Sequence, residues 1–564
     1  MQIKSILKDK INTAFTNLNI TPKTLEVNEA TKKEFGDYQY NGAMALAKEL
    51  KKNPREIATA LANELQKEDI FEKVEVAGPG FINLTLTNEF LASNLLKALN
   101  ERAGVSKKED PIRVVVDYSS PNMAKQMHVG HLRSTVIGDA IANLFEFLGD
   151  DVIRQNHIGD WGTQFGMLIA YFEEQGANAK QELSDLEEFY KAAKKRFDES
   201  EEFAKKAREY VVKLQSGDKF CLELWKEFID TTLKHTQEVY DSLEVALNNS
   251  HVRGESAYND DLANIVQELE AKEIATKSQG ASCVFFDESD NPLIIQKADG
   301  GYLYATTDLA GIKFRVQELG AKRISYVVDA RQAEHFKQVF ATAKRAGFAN
   351  EDTILEHIAF GMVLDKSGKP FKTREGGTVK LQDLISEAIA RAKKVITNAK
   401  EYDEKELEEI AKVVGIGSLK YADLSINRQS NYIFDWDKML SLDGNTALYM
   451  QYAYARINSI LTKAGSVEEK EPKLNDTLEH QLALKVIQLE DVLQKAYKDA
   501  MPHLIANYLY ELATLFMKFY EQNPILKEGV EEEIKKSRLV LAKATANTIK
   551  TGLKILGIRV LERI

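Results

Sequence analysis

The sequence predicts a multidomain α/β protein, with a parallel-sheet domain set between a small α/β unit and an all-helical bundle. Three observations lead there. From residue 111 near-continuous apolar strands alternate with helix-patterned runs, the order of a parallel sheet with crossover helices. After about residue 440 apolar residues recur only at helical spacing, as in "LEHQLALKVIQLEDVLQKAY" and "ANYLYELATLFMKFYEQ". Ahead of both, the polar stretch "ERAGVSKKEDP" reads as a linker that separates off a first unit. A chain of 564 residues exceeds one ordinary core, so several domains are expected.

Residues 1–107 open with an amphipathic helix, "MQIKSILKDKINTAF", followed by a second helix that Asn53 caps and Pro54 starts. Strands "FEKVEVAG" and "GFINLTLT" then meet at the Gly78-Pro79-Gly80 turn. In residues 108–380, "IRVVVDYS" is an apolar strand, 129–148 a helix, "DVIRQNHIG" a second strand and "WGTQFGMLIAYFEE" a second helix. A charged helical insertion near 183–215 interrupts the alternation. It resumes with "YLYATTDLAG", "RISYVVDA" and a helix after Gln332. Residues 381–440 connect this unit to the helical bundle at 441–564. In the last helix Lys536, Lys543, Lys550 and Lys554 share a face that would suit phosphates or simply water.

The totals narrow the function classes. Hydrophobic residues at 44% and charged residues at 29% describe a globular chain, and no apolar run nears the roughly 20 residues that span a bilayer. The amphipathic start carries Asp9 and has no cleavage-site pattern, so no secretory signal and a cytoplasmic location are expected. Two cysteines, Cys221 and Cys283, stand in no ligand spacing, which argues against disulfides and a structural zinc. A net charge of -11 disfavours indiscriminate nucleic-acid binding, while a locally basic face remains compatible with RNA.

The chemistry centres on "AKQMHVGHLRSTVIGDA", residues 124–140. A strand ending at Tyr118 and a helix starting near Val129 place the turn between them at the carboxyl edge of the sheet, where open α/β sheets bind ligands. A helix N-terminus offers free N–H groups to phosphate. Gly130 admits a flat base or ribose to the backbone, and His128 and His131 can donate to phosphate oxygens as charge builds. Neither a Gly-Lys-Ser/Thr phosphate loop nor a Gly-X-Gly-X-X-Gly turn is present. Alone, the two histidines would equally suit an ordinary turn or a metal site.

In context, His128-Val129-Gly130-His131 resembles the first signature of class I aminoacyl-tRNA synthetases. "SSPNMAKQMHVGHLRSTVIGD" is similar to that of one family among them, the bacterial-type arginyl-tRNA synthetases. So are "FGDYQYNGAM", "NHIGDWGTQFGML", "GGYLYATTDLA", "GKPFKTREGGTVKL", "GIGSLKYADLS", "NYIFDWDKMLSLDGNTALYMQYAYAR" and the ending "LGIRVLERI", so the likeness spans essentially the whole chain.

The resemblance implies a Rossmann-like catalytic domain, an N-terminal domain for the tRNA elbow and a C-terminal anticodon-binding bundle. It also implies activation of L-arginine by ATP to arginyl-adenylate and transfer to the terminal adenosine of tRNA(Arg) through its 2'-hydroxyl, with activation dependent on tRNA. Glu255 and Asp308 match the acids facing the guanidinium, Tyr304 their tyrosine partner, and Asn122 and Gln332 the positions holding the amino acid's backbone groups. Planar cations suit such forked carboxylates. Read alone, Asn122 could shape a turn, Glu255 and Asp308 could cap helices, and Tyr304 could be core.

The second signature departs from the common class I pattern: "DKSGKPFKTREGG" keeps Lys369, Lys372, Thr373 and Arg374 but has Glu375 where a lysine is usual. By resemblance, Lys125 before the first signature compensates. Gly361, Met362 and Val363 border the adenine. Phe81 and Asn83 match elbow contacts, and Tyr449, Tyr454 and Arg456 match the anticodon side. Magnesium is expected to ride mainly on the ATP phosphates. A monomer with no membrane or DNA partner is expected.

Overall fold

The computed structural model describes residues 2–123, 125–176, 186–371, 379–396 and 401–564, apart from the side chain of Lys33. In the first unit, β1 (Val27–Glu29), β2 (Tyr38–Tyr40), β3 (Phe71–Ala77) and β4 (Phe81–Leu86) form an antiparallel sheet in the order β1-β2-β4-β3. The helix Pro54–Leu65 starts as its sequence requires: Asn53 Oδ1 accepts from Arg55 N at 2.9 Å and proline takes the first helical position. Gly78 and Gly80, at φ +53 and +142, turn β3 into β4 where a side chain would be strained.

The central sheet runs β12-β11-β5-β6-β7, parallel throughout, from β5 (Arg113–Asp117), β6 (Asp151–Ile158), β7 (Val252–Gly254), β11 (Arg323–Tyr326) and β12 (Ile354–His357). Val114, Val115 and Val116 are fully buried, which explains the unbroken apolar run of β5. The helix Val129–Leu148 crosses from β5 to β6. Between β7 and β11 lies a three-stranded antiparallel sheet of β8 (Thr276–Ser278), β9 (Ala281–Phe286) and β10 (Ser289–Gln296) that the sequence did not announce. Register shifts in the β9–β10 pairing break the period-2 alternation that would have revealed it.

The insertion is longer than expected. Its helices Leu186–Glu199 and Glu201–Gln215 are followed by a third, Lys219–Leu243. Beyond β13 (Val363–Leu364) and the helix Leu381–Val395, the long helix Glu404–Leu424 runs past the central domain, and β14 (Tyr432–Ile433) returns to pair in parallel with β13. From residue 440 onward the described residues contain helices and no strand, the longest being His503–Gln522 and Glu532–Ile555.

The polar stretch expected as a linker is pinned instead. Arg102 donates to the Phe147 carbonyl at 2.6 Å, Ser106 N to Glu490 Oε2 at 3.2 Å, and Lys108 pairs with Asp150 at 2.8 Å while lying over the Tyr497 ring. Its polarity serves pairing with two neighbouring domains rather than solvation.

Candidate active site

Past β5 the chain enters a strained turn. Ser119 and Ser120 both hold left-handed backbone, at φ +73 and +45. The turn is over-determined: Ser119 N donates to Ser134 Oγ at 2.9 Å, Ser120 N to Asn156 Oδ1 at 3.0 Å, and Ser119 Oγ shares a proton with Tyr240 at 2.7 Å. The effect is to bring Asn122 against Gly159, so that the carboxyl ends of β5 and β6 meet at the site. Asn122 does shape this turn, and it is exposed there.

The histidines cap their own helix. Gly130 N donates to His128 Nδ1 at 3.0 Å, and His128 N donates to His131 Nδ1 at 3.1 Å. A backbone N–H can only donate, so both Nδ1 atoms carry lone pairs and both neutral rings keep their proton on Nε2. Burial, reinforced by Lys125, lowers the pKa of His128; burial and the neighbouring His128 lower that of His131 to about 3. Near pH 7 the rings, 4.0 Å apart, are therefore two neutral Nε2–H donors at a helix N-terminus. Gly130 is required, because a Cβ there would stand 2.7 Å from the His128 ring. Backbone bonds from Val129 N to Val379 O (3.0 Å) and from Leu381 N to Met127 O (2.9 Å) fasten this turn to the segment after the second signature.

On the same sheet edge the acids assemble. Glu255 follows β7, and Gly159 at the end of β6 borders its carboxylate. Burial first, then Asp160 and Asp308, raise the Glu255 carboxyl to about 7. No side-chain cap is made by Glu255, and Asp308 is the fifth residue of the helix Tyr304–Gln317, past any capping position. Tyr304, at 73% exposed, is not core. Gln332 is exposed at the head of the helix Ala333–Arg345.

Two residues of this group escaped sequence reasoning. Asp160 accepts from Ser256 N at 2.9 Å and Ser256 Oγ at 2.6 Å, fixing the segment that carries Glu255. His335 donates from Nε2 to Asp308 Oδ2 at 2.6 Å. Both lie inside recognised motifs, but only folding puts them beside their partners.

Comparison with known proteins agrees with this geometry. Residues 93–436 match the model of the class I tRNA synthetase (R) catalytic domain, 1–86 the arginyl-tRNA synthetase N-terminal domain, and 450–564 the DALR anticodon-binding domain. The chain belongs to the class I arginyl-tRNA synthetases. It is 50% identical to the arginine–tRNA ligase of Alteromonas mediterranea and 52% to that of Saccharophagus degradans, each over the full length of both chains. The arginyl-tRNA synthetase of Plasmodium falciparum superposes with a TM-score of 0.87 at 33% identity, covering 100% of this chain and 98% of that one. The Thermus thermophilus enzyme shares the fold, with a TM-score of 0.85 at 24% identity and 100% coverage of both chains. The reaction of the family is aminoacylation of tRNA(Arg), with ATP as a substrate.

The remaining expectations for an arginyl-tRNA synthetase meet a mixed outcome. Lys372 and Arg374 lie outside the described residues, while Lys369 is exposed on a turn whose Asp365 Oδ1 accepts from Ser367 N and Lys369 N. The amides of Gly361 and Met362 are committed to Arg428 O (2.9 Å) and Asn431 Oδ1 (2.7 Å), and Val363 is buried, which leaves the Met362 side chain as the exposed element of the three. Phe81 is half-buried on the outer face of the first sheet. Asn83 is 6% exposed, its Oδ1 already accepting from Gln39 at 2.8 Å.

Tyr454 needs correction as a base-stacking residue: at 6% exposed it belongs to the bundle core. Helical spacing explains this, because Tyr449, Tyr452 and Arg456 share one face and Tyr454 points to the other. Arg456 instead bonds the Tyr452 hydroxyl at 2.7 Å and lies over Tyr520, at a groove of about 560 Å³ that also includes Lys463 and Lys527. The lysine stripe is divided. Lys536 and Lys543 pair with Glu468 and Glu469, while Lys550 and Lys554 remain exposed.

Proposed function

We propose that this chain activates L-arginine with ATP to arginyl-adenylate and then passes the arginine to the 2'-hydroxyl of the terminal adenosine of tRNA(Arg), with bound tRNA needed for activation. The observation that carries the reading is the pair of neutral Nε2–H donors, His128 and His131, on the same sheet edge as Glu255, with Asp308 near enough for its charge to act on the Glu255 carboxyl.

In this reading the arginine carboxylate attacks the α-phosphorus of ATP, and pyrophosphate leaves. Charge accumulates on the phosphate oxygens, where the two imidazoles donate without reorganising. Lys125, with Lys369, Lys372 and Arg374 of the second signature, neutralises the departing pyrophosphate. Glu255 and Asp308 hold the guanidinium beside Tyr304, Asp160 and His335 hold those acids in place, and Asn122 and Gln332 take the amino acid's backbone groups. The Met362 side chain borders the adenine, together with the backbone of Gly361 and Val363.

A magnesium ion would ride on the ATP phosphates, which supply most of its ligands. The tRNA elbow meets Phe81 and the face around Asn83, and the anticodon meets Tyr449, Tyr452 and Arg456. The protein acts as a cytoplasmic monomer; among the described residues no helix is long and apolar enough to cross a membrane.

Arginine-dependent ATP–pyrophosphate exchange tests the proposal, with and without tRNA(Arg), using lysine, glutamate and cysteine as controls. Exchange only with arginine and tRNA together is expected. Exchange without tRNA overturns the coupling, and none in either condition overturns the activity.

A further inference from the structure

The helical insertion touches the catalytic loops at two points. Lys125 Nζ lies over the ring of Tyr190, 4.7 Å from its centroid. One turn earlier on the same helix, Leu186–Glu199, Glu187 Oε2 pairs with Lys380 Nζ at 2.9 Å. Glu187 also pairs with Lys191 at 3.0 Å, and these two lysines outweigh burial to lower its carboxyl pKa. Lys125 precedes the first signature and Lys380 follows the second, and a backbone bridge between His128 and Lys380 joins the two signature segments. Tyr190 and Glu187, three apart, present one helix face to both.

We propose that Tyr190 is a positioning residue for Lys125, and that the first insertion helix thereby sets where the pyrophosphate-side cation stands. A lysine on an exposed loop samples many rotamers, and a group that must meet charge only in the transition state gains most from being placed beforehand. The Tyr190 ring restricts the ammonium without neutralising it, as a carboxylate would. The Glu187–Lys380 pair holds the helix at the height from which the ring reaches Lys125. The proposal rests on the role given above to Lys125.

The test uses full-length protein with saturating tRNA(Arg). Wild-type exchange and Lys125→Met are measured first, so that a failure of the activity or of the lysine's role shows there and not in Tyr190. Tyr190→Leu is expected to lower the kcat of exchange by roughly three- to fivefold, the range of an exposed cation–π contact, with KM for arginine unchanged. Tyr190→Phe, which keeps the ring face, is expected to stay within about twofold of wild type. Lys125→Met with Tyr190→Leu is expected to lose no more than Lys125→Met alone. Equal losses in the Phe and Leu variants, or a double variant that loses the product of the two single effects, would overturn it.

Discussion

The two signature histidines show how one side chain can serve fold and chemistry together. Their Nδ1 atoms satisfy N–H groups at the helix start that would otherwise be orphaned, and this fixes the proton of each ring on Nε2. His128→Asn retains a short acceptor for Gly130 N–H and lacks the distal donor. It should therefore keep near-wild-type thermal stability while exchange falls about 100-fold, the scale of one preorganised donor; an equal loss of stability would return His128 to a capping role alone. Glu255 makes a pH prediction. With its carboxyl raised to about 7, chiefly by burial, it is largely protonated in the empty site at pH 6. The guanidinium favours the carboxylate, so arginine binding expels that proton and KM for arginine should fall as pH rises from about 6 to 8. The folded value lies above the ordinary glutamate value of 4.5, so this group's contribution to stability is fully present below about 4.5 and is lost as pH rises through about 7. Glu255→Gln should thus raise the melting temperature at pH 8 relative to wild type while weakening arginine binding. A melting temperature unchanged at both pH 5 and pH 8 would remove the strain argument.

At the scale of the element, the signature helix Val129–Leu148 is held from behind by the long helix Glu404–Leu424. Arg133 Nε reaches both oxygens of Asp423, at 3.0 and 3.1 Å, a pair out of contact with water, and its Nη1 donates to Ser430 O at 2.9 Å nearer the surface. Burial pushes the Asp423 carboxyl up and Arg133 opposes it. Arg133→Met would leave that carboxylate buried and unpaired, at a cost of about 3–5 kcal/mol. Urea unfolding followed in the catalytic domain measures it, and a loss under about 1 kcal/mol would mean that water reaches the pair. Because Ser430 leads directly into β14, the same arginine also sets the strand that pairs with β13 beside Met362.

Across the whole molecule, the first unit is docked on the C-terminal bundle through His480. Its Nδ1 faces Asn88 Oδ1 at 2.8 Å and its Nε2 faces Asp37 Oδ1 at 3.1 Å, while Asn88 Nδ2 donates to Leu474 O at 3.2 Å. The contact joins the first unit to the bundle that matches the anticodon-binding domain. His480→Ala should speed amide exchange in β4 and in the helix Asn88–Leu95, and weaken tRNA binding by about 1–2 kcal/mol, the worth of charge-assisted hydrogen bonds. Equal exchange rates in the two proteins would mean that the remaining contacts, such as Gln488 with Tyr38, hold the domain alone.

What the sequence by itself determined is the set of local structures and the chemistry of the motifs. Apolar period places the parallel strands and the helices, Asn53 and Pro54 start their helix, and His128-Val129-Gly130-His131 marks the site. These are properties of neighbouring residues, set by backbone hydrogen bonding and by which face is apolar. Only the tertiary structure decided which partner each exposed or charged group meets. It buried Tyr454 and turned Tyr452 outward, split the lysine stripe with Glu468 and Glu469, pinned the supposed linker to Asp150 and Glu490, and brought Asp160 to Ser256, 96 residues away beside Glu255, and His335 to Asp308, 27 residues away. Period reports that a face is covered and charge reports its sign, but neither names the distant side chain across the gap. That is a property of packing.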